Sequence, residues 1–192
     1  RFVHDEDLGR RVLELSHDGD GLWGERSKRT CDHKEGHPDL TISLRFKAES
    51  LDGTQPLYIQ GGKGKGFNIY LHDGRLYAGS MSDKRDWGKH GSDGMKKGAW
   101  ISTDQVEAGR WHHVALVLDG ADKKVQPDKL SLYLDGKKVG SAPGVRVPNH
   151  HGAPRIGTAQ TTLHNGDKLS GAGFRGRIAD FQQINDARPP RH

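Results

Sequence analysis

Two Asp-Gly pairs, each set between runs of alternating apolar and polar residues, constrain this chain more than any other feature. "GFNIYL" (66–71) passes through Asp73-Gly74 into "RLYAGS" (75–80), and "KLSLYL" (129–134) passes through Asp135-Gly136 into "KKVGS" (137–141). Asp-Gly suits the two-residue hairpin turn whose twist matches paired strands, because that turn needs positive φ at both positions. Two such hairpins commit the chain to antiparallel β structure.

The rest of the sequence has the same texture. "RVLELS" (11–16) leads into the turn "HDGDG" (17–21), and "LTISLRFKA" (40–48) sets Ile42, Leu44 and Phe46 against Thr41, Ser43 and Arg45, the period of two of a half-buried strand. "PLYIQ" (56–60), "RIG" (155–157) and "GFRGRIADFQQIN" (173–185) add strands, the last with an apolar phase shift between Ile178 and Phe181 that predicts a bulge. "QGGKGKG" (60–66) lacks the spacing and following helix of a phosphate loop and reads as a hairpin connection. The stretch from 82 to 98 has no period and reads as a long loop. No sustained helical period, internal repeat or linker is visible. Residues 1–192 therefore read as one all-β domain, a two-sheet antiparallel jelly-roll sandwich.

Composition narrows the partners. No apolar run could cross a bilayer and no signal peptide opens the chain, so membrane insertion is not expected; the start at Arg1 suggests a processed secreted protein or a piece of a longer one. With Cys31 as the single cysteine, no internal disulfide can form. A formal charge of +5, spread without a basic block, suits an acidic polysaccharide and argues against a nucleic-acid tail. It equally suits an ordinary charged surface.

Five segments in order, "LTISLRFKAES", "GFNIYLHDGRLYAG", "EAGRWHHVALVLDG", "LSLYLDGKKVGS" and "GFRGRIADFQQIND", resemble the laminin G-like, concanavalin A-like jelly-roll domains of bacterial surface and secreted proteins. The resemblance is strongest over residues 10–186. "TTLHNGDKLSGAGFRGRI" (161–178) is similar to a subgroup common in large exported proteins. The resemblance implies two curved antiparallel sheets, a binding or adhesive role outside the cell, and a structural calcium in many members.

In "GRWHHVALVLDG" (109–120), strand alternation sends His112 and His113 to opposite faces, so they cannot converge on one ion unaided. They read as residues that pack and hydrogen-bond. Jelly-roll glycosidases are known by a Glu-x-Asp-x-x-Glu strand, which is missing here, and the reading is non-enzymatic. Cys31, His33 and His37 in "CDHKEGH" make at best a loose metal site in a loop.

For calcium, Asp18 and Asp20 in "SHDGDG" offer oxygens, and the resemblance points to a partner acid in the last strand. There the usual Asp position is Ala179. Asp180 would serve only if the bulge turned it, and Asn165 and Asp167 in "HNGD" form the alternative. For a glycan, Trp87 beside Lys84, Arg85 and Lys89 offers a stacking ring among cations, or else a lid folded over the sandwich. Tyr70, Tyr77 and His72 line one face of the central hairpin with Arg75, either as a ligand face of the concave sheet or as a solvated polar face, while Trp23 and Trp111 read as core. The leading expectation is a carbohydrate-binding or adhesion module for an acidic or extracellular polysaccharide. The alternative is a structural module that contacts a protein partner or serves within a multidomain parent chain.

Overall fold

A computed structural model of the chain describes residues 1–17, 19–25, 36–61, 65–82, 98–147, 150, 152–159 and 172–190. Among them all regular structure is strand. In chain order these are β1 (Phe2–Asp5), β2 (Arg10–Leu15), β3 (Leu22–Trp23), β4 (Leu40–Ala48), β5 (Thr54–Gly61), β6 (Lys65–His72), β7 (Arg75–Ser82), β8 (Gly98–Thr103), β9 (His112–Leu118), β10 (Gln126–Leu134), β11 (Lys137–Gly144), β12 (Arg155–Ile156) and β13 (Gly176–Ile184). A seven-stranded sheet runs β1-β2-β13-β4-β9-β10-β11 and a six-stranded sheet runs β3-β12-β5-β6-β7-β8. Every neighbouring pair is antiparallel, the arrangement of a jelly-roll sandwich.

The two Asp-Gly hairpins form as predicted. Asp73 and Gly74 have φ of 44° and 82°, and Asp135 and Gly136 have 50° and 80°, so both central residues of each turn are left-handed. Of "QGGKGKG", Gln60 and Gly61 end β5 and Lys65 and Gly66 open β6, with Gly61 paired to Gly66 in antiparallel register, while residues 62–64 lie outside the described residues.

Between the sheets, Ile42, Leu44 and Phe46 of β4 pack with Phe67, Ile69 and Leu71 of β6 and with Val114, Leu116 and Leu118 of β9. The alternation of β4 holds, but its other face is less open than a period of two suggests: Thr41 and Ser43 are also buried. The C-terminal segment accounts for part of this. The Thr41 hydroxyl donates to the Asp186 carbonyl at 2.7 Å and accepts the Arg188 N–H at 2.8 Å, tying that segment across the sheet.

The bulge in the last strand is present. The pairing of β13 with β4 slips between Ala179 and Gln182, and Asp180 takes a φ of 54°. Two edge strands, β1 and β3, have too few alternating residues to stand out in the sequence; both acquire strand geometry from their neighbours, β2 and β12.

Candidate functional site

His112 points into the sandwich and His113 away from it. The His112 ring lies 5.6 Å from Phe46, its Nε2 accepts the Glu107 N–H at 3.0 Å, and its Nδ1 lies 2.9 Å from an Asp135 carboxylate oxygen. An acceptor Nε2 carries no hydrogen, so Nδ1 holds the proton and donates it to Asp135. The same carboxylate accepts the His113 N–H at 2.8 Å. Burial pushes the Asp135 pKa up, but the hydrogen bonds from the His113 N–H and from His112 outweigh it and the net direction is down. The pair therefore braces the start of β9 against the Asp135 turn.

Trp111 is partly buried, and its Nε1 donates at 3.1 Å to Asp5, a fully enclosed carboxylate that also accepts the Leu8 N–H at 3.1 Å and Arg177 at 2.7 Å. Arg177 continues to Glu14, which Arg1 also holds. Desolvation raises the Asp5 pKa, yet these donors, Arg177 first, bring it below the ordinary carboxylate value. The network ties β1, β2 and β13 together.

Four of the proposed ligand residues do come together, on the outer face of the six-stranded sheet. Register places Thr54, His72 and Arg75 in one row across β5, β6 and β7, and Pro56, Tyr70, Tyr77 and Ser102 in a second row that reaches β8. A third row crosses the whole sheet: Trp23, Arg155, Ile59, Asn68, Gly79 and Trp100. The side chains on these rows are held firmly. Tyr77 stacks on Tyr70 with centroids 5.2 Å apart and planes within 6°. His72 meets Tyr77 edge-on at 6.2 Å and its Nδ1 is 2.7 Å from the Thr54 hydroxyl. Arg75 reaches Ser102 at 3.3 Å and Asp104 at 3.4 Å.

Trp100 lies over a floor of glycines. A Cβ added at Gly79 would stand 2.5 Å from its Cγ, and one at Gly98 would stand 2.5 Å from its Cζ3. Its Nε1 donates at 2.7 Å to Asn68 Oδ1. Among the described residues, the Nδ2 of Asn68 and one terminal nitrogen of Arg155 are buried with no hydrogen-bond partner.

Several expectations change. Tyr70 is fully buried under Tyr77, Ile59 and Ala159, so it supports the face instead of touching a ligand. Trp23, expected in the core, is 62% exposed on the edge strand β3, with the Arg155 guanidinium 4.5 Å from its ring centre. Trp87, Lys84, Arg85 and Lys89 lie outside the described residues, as do Asp18, Asn165, Asp167, Cys31 and His33. Trp100, Asn68, Ser102 and Arg155 had not been singled out as ligand residues. Their place depends on strand register, although Gly79 inside the strand run 75–80 was an available sign of close packing.

Of the calcium candidates, Asp20 and Asp180 lie among the described residues. The Asp20 carboxylate closes its own turn, accepting the Ser16 and His17 N–H groups at 3.1 Å, and these bonds lower its pKa. Asp180 is turned by the bulge onto Arg10 and onto Arg45, the latter at 3.2 Å. It does not face Asp20: β2 pairs Leu15 with Gly176, so Asp180 lies four residues along β13 from the end that leads to Asp20, about 13 Å at strand rise. Among the described residues no three His, Cys, Asp or Glu side chains group to hold a metal. His37 is buried and bridges to Val147.

Two antiparallel sheets with an aromatic and polar outer face define a jelly roll of the concanavalin A type. The sequence model of the concanavalin A-like lectin/glucanases superfamily matches residues 29–192, and the chain belongs to that superfamily. Among curated proteins the sequence has no match. Solved structures share the fold at low identity. The CBM40 module of the Ruminococcus gnavus IT-sialidase, bound to α2,3-sialyllactose, is 15% identical with a TM-score of 0.56, over 92% of this chain and 91% of that one. The botulinum neurotoxin serotype G binding domain is 10% identical with a TM-score of 0.67, over 98% of this chain but 42% of its own. The serotype D ligand-binding domain in complex with N-acetylneuraminic acid is 12% identical with a TM-score of 0.63, over 97% of this chain and 42% of its own.

Proposed function

We propose that this chain is a non-catalytic glycan-binding module acting outside the cell, and that the outer face of the six-stranded sheet receives the sugar. The observation that carries this reading is the fixed pair of rings: Tyr77 is stacked on Tyr70, and Trp100 is laid over Gly79 and Gly98 with its Nε1 held by Asn68. Rings already locked in place lose little freedom when a sugar stacks on them. Arg75, Ser102 and His72 beside them supply the planar and hydroxyl partners that orient a ligand.

The sialylated ligands of the two similar structures, together with the positive charge of this chain, make an acidic glycan the first class to test. Among the described residues no helix is long and apolar enough to cross a membrane.

The test is affinity electrophoresis through neutral, uronic-acid and sialylated polymers, with and without calcium, on the wild type and on Tyr77→Ala and Trp100→Ala. Selective retardation that both substitutions abolish is expected. Equal migration through every polymer would overturn the glycan reading and favour a protein-contact module, for which the exposed Leu22 and Trp23 of β3 offer an apolar edge.

A further inference from the structure

The outer face of the seven-stranded sheet, on the far side of the sandwich from the aromatic rows, holds a cleft of about 380 Å³. Its floor is Ser43 of β4 and Ala115 of β9, which are direct cross-strand partners, with Gln182 of β13 on the other side of Ser43. Small residues in the middle of a sheet leave a trough where larger neighbours stand up around it. At one end stand Arg45 and His113, themselves cross-strand partners, with Asp180. At the other end lie Arg188 and Pro190 of the C-terminal segment, fixed there through Thr41.

The charges around this trough leave a positive excess. Asp180 is shared by Arg10 and Arg45, and Asp186 accepts the Arg188 Nε at 2.8 Å. Three arginines thus face two aspartates, and each bonded carboxylate leaves guanidinium N–H groups over. Arg45 and Arg188 remain substantially exposed after these contacts.

We propose that this cleft is a second ligand site, selective for a small carboxylate that also carries hydroxyl groups, such as one uronic-acid unit. Arg45 and Arg188 at the two ends supply charge-assisted hydrogen bonds to the carboxylate, and the Ser43 hydroxyl and the Gln182 carboxamide on the floor serve the hydroxyls. The volume is at the lower end of the range for small-molecule sites, which suits a single sugar unit. Apart from His113, no aromatic ring among the described residues lines the cleft, so recognition rests on charge and hydrogen bonds instead of stacking. The site does not depend on the aromatic face, and a ligand could occupy both faces of the sandwich at once.

The experiment is a titration of the whole chain with sodium glucuronate, followed by amide NMR, with glucose and sodium acetate at matched ionic strength as controls. Saturable shifts at Ser43, Ala115 and Gln182 are expected with glucuronate, with glucose inert and acetate at least about tenfold weaker. Arg188→Ala and Arg45→Gln should each weaken binding about tenfold, the scale of one charge-assisted hydrogen bond. Ala115→Leu should fill the floor and abolish binding. Arg188 is exposed on a terminal segment, so its variant tests the site even if Ala115→Leu does not fold. Trp100→Ala should leave these shifts intact, which separates this site from the aromatic face. Equal response to acetate would mark unspecific anion attraction and overturn the proposal, as would equal response to glucose or retention of affinity within twofold in both arginine variants.

Discussion

Gly79→Ala tests the platform under Trp100 most directly. The added Cβ would stand 2.5 Å from Trp100 Cγ and 2.6 Å from the Ala99 carbonyl oxygen, so both the indole and the neighbouring backbone must give. Overpacking of this kind costs about 1–3 kcal/mol. Displacing the indole also breaks its 2.7 Å bond to Asn68, worth about 1 kcal/mol. Together the substitution should destabilise the fold by about 2–4 kcal/mol in urea denaturation. It should also weaken glycan binding about tenfold or more, since a shifted ring no longer meets the sugar in its rest position. The double variant Gly79→Ala, Trp100→Ala removes the clash with the ring and should lose less stability than the two single variants summed, because the residues are in contact. A Gly79→Ala protein within about 0.5 kcal/mol of wild type, or additive single variants, would refute the argument that the glycine exists to seat the ring.

Two other outcomes follow from the charged contacts. Arg177→Met strips the enclosed Asp5 of its cation while Trp111 and Leu8 still donate to it, and because Arg177 is itself 35% exposed the cost should fall between an exposed and a buried pair, about 2 kcal/mol at pH 7. Asp5 and Glu14 have folded pKa values below their ordinary 3.8 and 4.5, so their stabilisation is full above those values and is lost as pH falls through the lower folded ones. The penalty of Arg177→Met should therefore be flat near neutrality and shrink in acid; a penalty unchanged down to pH 3 would exclude Asp5 as its source. Asp180→Ala should leave any calcium response in calorimetry identical to wild type, since this carboxylate is held by Arg10 and Arg45, and loss of a response would return Asp180 to the metal site.

The sequence by itself determined the longer alternating strands, though not the edge strands β1 and β3, and with them the two Asp-Gly hairpins, the bulge near Asp180 and the opposite directions of His112 and His113. Each follows from local rules: side chains alternate along a strand, and only certain pairs close a tight turn. It also placed Tyr77, His72 and Arg75 on one face, because a single hairpin joins them. Only the tertiary structure decided that Trp100 lies over Gly79 and Gly98, that Tyr70 is buried beneath Tyr77, that Trp23 is exposed beside Arg155, and that the C-terminal segment closes one end of a cleft over Ser43. These depend on which strands become neighbours and in what register. That choice is made by burial across the whole sandwich, between residues as distant in the chain as Trp23 and Arg155 or Asn68 and Trp100, so no local pattern records it.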